Sequence, residues 1–104
     1  TKIDRVKDYI NDNLAENLNL SKIAEIANIS TYHFARLFKQ KTGYSPHQYI
    51  IQHRIEKANN LLSKTNLSIV EIAYSVGYSS QSNFTSLFRK QVGTTPQKYR
   101  QSKK

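Results

Sequence analysis

Apolar residues recur along this chain at intervals of three and four, the period of an amphipathic helix. Ile3, Val6, Ile10 and Leu14 predict a helix over residues 2–14, with Asp, Lys and Asn facing outward. Asn11, Asn13 and Asn17 favour a turn after it. A short helix is expected over 19–27, a second over 31–41 (TYHFARLFKQK) and a long one over Pro46–Lys64. The long segment places Ile51, Ile55, Ala58 and Leu62 on one stripe, with Ile50, Arg54 and Leu61 beside it. Further helices are expected over 68–76, over Gln81–Val92 (QSNFTSLFRKQV) and from Pro96 onward, with a frayed tail at 101–104. No strand pattern competes with these, so the fold class is all-α, with about seven helices.

The pattern repeats. Leu18-Asn19-Leu20-Ser21-Lys22-Ile23-Ala24 is matched by Leu67-Ser68-Ile69-Val70-Glu71-Ile72-Ala73 at a displacement of 49. From Phe34, Leu37, Phe38, Gly43, Pro46 and Tyr49 to Phe84, Leu87, Phe88, Gly93, Pro96 and Tyr99 the displacement is 50, so the second copy carries one extra turn residue near Val76-Gly77-Tyr78-Ser79. The unit is helix, tight turn, helix, glycine stop, proline-initiated helix. Asn19, Ser30, Ser45, Ser68 and Thr95 stand where N-caps are needed, and Ser68 with Glu71 is spaced for a capping box. Gly43 and Gly93 stand where a helix stops, and Gly77, or Asn28 in the first copy, accepts positive φ.

In each copy one face of the second helix is apolar, through Phe34, Leu37 and Phe38 or Phe84, Leu87 and Phe88. The other face is polar and free of acidic residues. Ala24 and Ala73 supply small residues where paired helices cross closely. A helix, a short turn and a second helix so built form a helix-turn-helix unit, whose second helix can enter a major groove about 12 Å wide.

Charge sharpens this picture. Net charge is +9 over 104 residues. Residues 1–30 carry −1, whereas residues 31–104 carry +10, with only Glu56 and Glu71 acidic. A polyanion is the expected partner, nucleic acid ahead of an anionic membrane surface. There is no cysteine, which excludes disulfides and thiolate metal sites and fits a reducing cytoplasm. No apolar run is long enough to span a membrane, so no membrane role is expected. No methionine occurs, even at position 1, so the chain is expected to be a piece of a longer or processed protein.

The residues Ile23-Ala24, Ile29-Ser30, Phe34, Leu37-Phe38-Lys39, Thr42-Gly43, Pro46 and Tyr49, then Arg54, Ala58 and Leu61-Leu62, carry a family resemblance. It continues through Ser68-Ile69, Ile72-Ala73, Val76-Gly77-Tyr78, Asn83-Phe84, Leu87-Phe88-Arg89-Lys90, Gly93, Thr95-Pro96 and Tyr99-Arg100. Over nearly the whole chain this pattern resembles the DNA-binding domain of the AraC/XylS family of bacterial transcription regulators. The resemblance implies a first helix-turn-helix subdomain (1–45), a linker helix (46–64) and a second subdomain (65–104). It implies sequence-specific binding of double-stranded DNA at asymmetric sites from one side, with two recognition helices in successive major grooves. It also implies a sensing or dimerising domain outside this sequence, and makes RNA polymerase a candidate partner. A cytoplasmic, nucleoid-associated location follows from that role.

Carried over residue by residue, the base-reading positions are Tyr32, Ala35 and Arg36 in the first recognition helix and Gln81, Ser82, Asn83, Thr85 and Ser86 in the second. Ala35 departs from the pattern in having no polar group, leaving it only a thymine methyl to touch. Ser86 stands where the family often has Arg. Arg36 is the foremost base reader, its alternative being a phosphate contact. Tyr32 is expected against sugar or methyl, or simply exposed. Lys39, Lys41, Arg89 and Lys90 are expected on phosphates, together with Ser45, Thr94 and Thr95, although capping alone accounts for Ser45 and Thr95. Arg54, near the linker stripe, needs a partner, and Glu71 is the candidate.

His33, His47 and His53 are not at a metal-ligand spacing and are expected as surface or capping residues. No metal, no cofactor and no catalytic set is expected. The rival readings are a helical module that docks an acidic protein and a sequence-blind nucleic-acid binder.

Overall fold

The structure, a computed structural model, describes residues 1–103. These form seven α-helices and no strand: α1 (Lys2–Asp12), α2 (Leu20–Ile26), α3 (Thr31–Thr42), α4 (Pro46–Lys64), α5 (Ile69–Ser75), α6 (Gln81–Val92) and α7 (Pro96–Ser102). The chain divides into two compact units, Thr1–Ile51 and Gln52–Lys104, so α4 contributes its first residues to one unit and the remainder to the other.

Helix starts follow the capping residues. Ser30 accepts from the His33 N–H at 3.3 Å, Ser80 from the Asn83 N–H at 3.1 Å and Thr95 from the Lys98 N–H at 3.1 Å. Ser45 forms a reciprocal cap: its hydroxyl accepts from the Gln48 N–H at 3.1 Å, and its own N–H donates to Gln48 Oε1 at 3.2 Å. Ser68 accepts from the Glu71 N–H at 3.1 Å, one half of the expected capping box. Both halves form at Thr1 and Asp4, and the bond from Thr1 heads the causes that hold the Asp4 carboxyl below its usual range. α1 ends at Asp12, two residues earlier than the apolar spacing predicts, with Asn13 as C-cap, yet Leu14 stays buried. The expected frayed tail is helical through Ser102, and Lys104 lies outside the described residues.

Glycine stops α3 and α6 by taking the left-handed region, Gly43 at φ 84° and Gly93 at φ 92°, each N–H bonding the carbonyl four residues back at 2.8 Å. The turn inside each helix-turn-helix is a Schellman motif. In the first unit the Ile29 N–H bonds Ala24 O at 3.2 Å and the Asn28 N–H bonds Glu25 O at 2.9 Å, with Asn28 at φ 57°. In the second, Tyr78 bonds Ala73 O at 2.9 Å and Gly77 bonds Tyr74 O at 3.2 Å, with Gly77 at φ 101°.

The first unit's core joins Ile3, Val6, Ile10 and Leu14 to Ile23, Ala24, Ala27, Phe34, Phe38, Tyr49 and Ile50. In the second unit Ile55, Ala58 and Leu62 of α4 are buried with Ile72, Ala73, Val76, Phe84 and Phe88. Their spacing is that of Ile3, Val6 and Ile10. The later part of α4 therefore does for the second unit what α1 does for the first. Aromatic packing repeats as well: Phe34–Phe38 and Phe84–Phe88 both lie at 5.6 Å between ring centroids, and Phe38–Tyr49 at 5.2 Å is matched by Phe88–Tyr99 at 5.7 Å.

Two arginines brace the second unit. The Arg54 guanidinium lies 5.5 Å from the centre of the Tyr78 ring. Burial pushes the Tyr78 hydroxyl above its ordinary pKa, and the Arg54 charge opposes this. Arg100 donates to Leu62 O at 3.0 Å and to Thr65 O at 3.4 Å, satisfying carbonyls at the end of α4 from a helix more than thirty residues later.

Candidate nucleic-acid interface

α3 and α6 have the same length and the same order of buried and exposed positions. Phe34 and Phe38, or Phe84 and Phe88, are fully buried and lock each helix to its unit. This leaves Tyr32, Arg36, Lys39 and Lys41 exposed on α3, and Gln81, Ser82, Asn83, Ser86, Arg89 and Lys90 exposed on α6. Ala35 and Thr85 are half-buried at equivalent flanking positions. Ala35 lines a recess with Leu18, Leu20, Ile23, Ser45, Pro46, His47 and Ile50.

Neither helix carries an acidic residue. The cations cluster toward the C-terminal end of each, Lys39 and Lys41 on α3 and Arg89 and Lys90 on α6, where they also complement the helix dipole. The exposed faces differ in their first turns. On α3, Arg36 Nη1 donates to the Tyr32 hydroxyl at 3.4 Å and the guanidinium lies 5.7 Å from the Tyr32 ring centre. On α6 the equivalent positions hold Ser82 and Ser86. Ser45 and Thr95 are half-buried with their oxygens engaged as caps, and Thr94 is half-buried beside Thr95.

The Tyr32–Arg36 pairing was not anticipated from sequence, although the i, i+4 spacing of an aromatic and an arginine signals it. Nor was the bond between Ser30 Oγ and His33 Nδ1, 2.8 Å long.

Over residues 23–102 the chain matches the family model of a helix-turn-helix domain. It is 36% identical to the C-terminal domain of AraT, a response regulator from Geobacillus stearothermophilus, with a TM-score of 0.93 over 97% of this chain and 84% of that one. A Chromobacterium violaceum transcriptional regulator described as having an AraC-type DNA-binding domain is 32% identical, with a TM-score of 0.89 over 98% and 91% of the two chains. The chain is an AraC-type helix-turn-helix domain.

The AraC-type domain is also similar to the DNA-binding domain of AdpA, solved in complex with a target DNA, at 30% identity and a TM-score of 0.92 over 96% of this chain and 90% of that one. Among curated proteins it is 38% identical to the bifunctional transcriptional activator/DNA repair enzyme AdaA of Bacillus subtilis, over 98% of this chain and 48% of AdaA. The domain thus spans about half of AdaA or less of such relatives, 38% in the case of the Photobacterium leiognathi regulator LumQ. No helix of the described residues is long and apolar enough to cross a membrane.

Proposed function

We infer that this chain binds double-stranded DNA sequence-specifically as the DNA-binding part of a bacterial transcription regulator. α3 and α6 each enter a major groove, and the two grooves are successive ones on the duplex. One observation carries the reading: two helices of the same burial order each present an exposed, acid-free face that ends in cations. The similar AdpA domain was solved on its target DNA.

In this reading Arg36 reads guanine O6 and N7, and Tyr32 lies against the same groove. Gln81, Ser82, Asn83, Thr85 and Ser86 line the second groove, where Gln81 and Asn83 have the amide chemistry for adenine. Lys39, Lys41, Arg89 and Lys90 meet phosphates, as do the Ser45, Thr94 and Thr95 hydroxyls near helix N-termini. Ala35 offers only a methyl contact. Residues 1–45 and 65–104 then carry the two reading helices, and the helix over 46–64 contributes core residues to both units. This stretch is assigned no catalytic role, and its site of action is the bacterial cytoplasm, at the nucleoid.

The test is selection of bound duplexes from a random pool, followed by chemical probing of guanine N7 on the winning sequence. The expected result is a duplex that resists random competitor, with two protected major-groove patches about 10 base pairs apart. Complete loss to random competitor, or protection confined to one patch, overturns the reading.

A further inference from the structure

We propose that His33 is a positioning residue for DNA reading: anchored by the α3 N-cap, it holds Tyr32, and through Tyr32 it sets the guanidinium of Arg36. This rests on the assignment of Arg36 as a base reader made above.

The geometry is a continuous chain of contacts along the exposed start of α3. The Ser30 hydroxyl accepts from the His33 N–H at 3.3 Å and meets the ring nitrogen Nδ1 at 2.8 Å, so one cap fixes both the backbone and the imidazole. The His33 ring packs edge-on against Tyr32, at 5.6 Å between centroids and 73° between planes. Tyr32 in turn lies under the Arg36 guanidinium, at 5.7 Å from CZ to the ring centre, and accepts from Nη1 at 3.4 Å. All three side chains are exposed, Tyr32 at 67%.

Free exposed side chains sample several rotamers, and ordering each on binding costs free energy. A guanidinium stacked on a ring that is itself braced from the helix cap has already lost much of that freedom, and its planar fork is presented in one orientation. α6 supplies the contrast. It keeps the cap, from Ser80 to Asn83, but places Ser82 and Ser86 where the ring and the guanidinium stand on α3.

The test uses the 104-residue chain, a random duplex pool and sequencing of the bound fraction. Arg36→Ala first identifies the base pair whose preference it flattens. His33→Ala, which leaves Ser30 capping α3, is expected to lower the preference at that pair by about three- to tenfold. Overall binding to random duplex and its salt slope are expected to stay unchanged. In the Arg36→Ala background, His33→Ala should add nothing. A uniform loss on all duplexes that persists without Arg36 makes His33 a phosphate contact and overturns the proposal, as does an unchanged preference. Helicity and melting of each variant are measured alongside. If His33→Ala does not fold, Tyr32→Ala tests the same chain one link later: it must flatten the same pair, whereas Tyr32→Phe, which keeps the ring, must retain most of the preference. Equal behaviour of these two variants overturns the proposal. If Arg36→Ala flattens no position, the base-reading assignment falls and the proposal with it. If it flattens one and His33→Ala none, only the proposal falls.

Discussion

The first and second units are built on one plan and finished differently. Both bury two phenylalanines four residues apart, cap their second helix with serine and stop it with glycine. The first then offers a braced arginine on α3, the second a row of short polar side chains on α6. The turns differ as well, with four residues between α2 and α3 and five between α5 and α6. Positions that fix a helix against its core tolerate little variety, because apolar volume must be matched there. Positions that face outward carry no such demand, so the two units are free to diverge on those faces.

Core substitutions should break the comparison most severely. Phe34→Ala and Phe84→Ala each empty a fully buried site, at a cost of about 3–5 kcal/mol by chemical unfolding. Phe84 packs on Tyr78 at 5.7 Å as well as on Phe88, whereas Ile29 follows the equivalent turn in the first unit. Phe84→Ala is therefore expected to cost more, by about 0.5–1.5 kcal/mol. Equal losses would show that the Tyr78 contact contributes nothing.

Next come the proposed reading faces. Arg36→Ala should weaken binding by about 1–3 kcal/mol and relax preference at one base pair, measured by competition among single-site duplex variants. Ser86→Arg places the same side chain on α6 without a ring beneath it, and should tighten binding by less than Arg36→Ala weakens it. A larger gain from Ser86→Arg would mean that the Tyr32 platform is irrelevant to how arginine is used here.

The turns are a milder test. Gly77→Ala forces a side chain into the left-handed region and should cost about 1–2 kcal/mol in melting experiments, while Asn28→Gly relieves the first turn by a few tenths. For charge alone, Lys90→Ala should reduce the salt slope of DNA binding by about one, with no change in sequence preference. An unchanged slope would remove Lys90 from the footprint.

The smallest effect lies at alkaline pH. The folded Tyr78 has its pKa raised above the ordinary 10.0, chiefly by burial, so the protein favours the neutral phenol. The stability this contributes is fully present below pH 10 and falls as pH rises through that value toward the folded pKa. Tyr78→Phe should flatten the alkaline limb of the stability profile, and the first unit, with Ile29 in that place, has no counterpart to it. A limb unaltered in Tyr78→Phe would assign the alkaline loss elsewhere.

Much of this was legible in the linear chain. Helical period, capping serines and threonines, glycine stops and the displaced repeat are local signals, each enforced by backbone hydrogen bonding within a few residues. They placed α4 and α6 to the residue and the remaining helices to within two or three. Net charge and its concentration after residue 30 pointed to a polyanion for the same reason, since charge is a property of composition. Tertiary structure alone decided that Arg54 faces Tyr78, that Arg100 closes the end of α4, and that α4 serves both cores. It also decided that Ser30, His33, Tyr32 and Arg36 touch in series. Such contacts depend on rotamer choice and on which elements fold against one another. Residue spacing constrains a long side chain to a face of its helix, but the neighbouring surfaces decide where on that face it comes to rest.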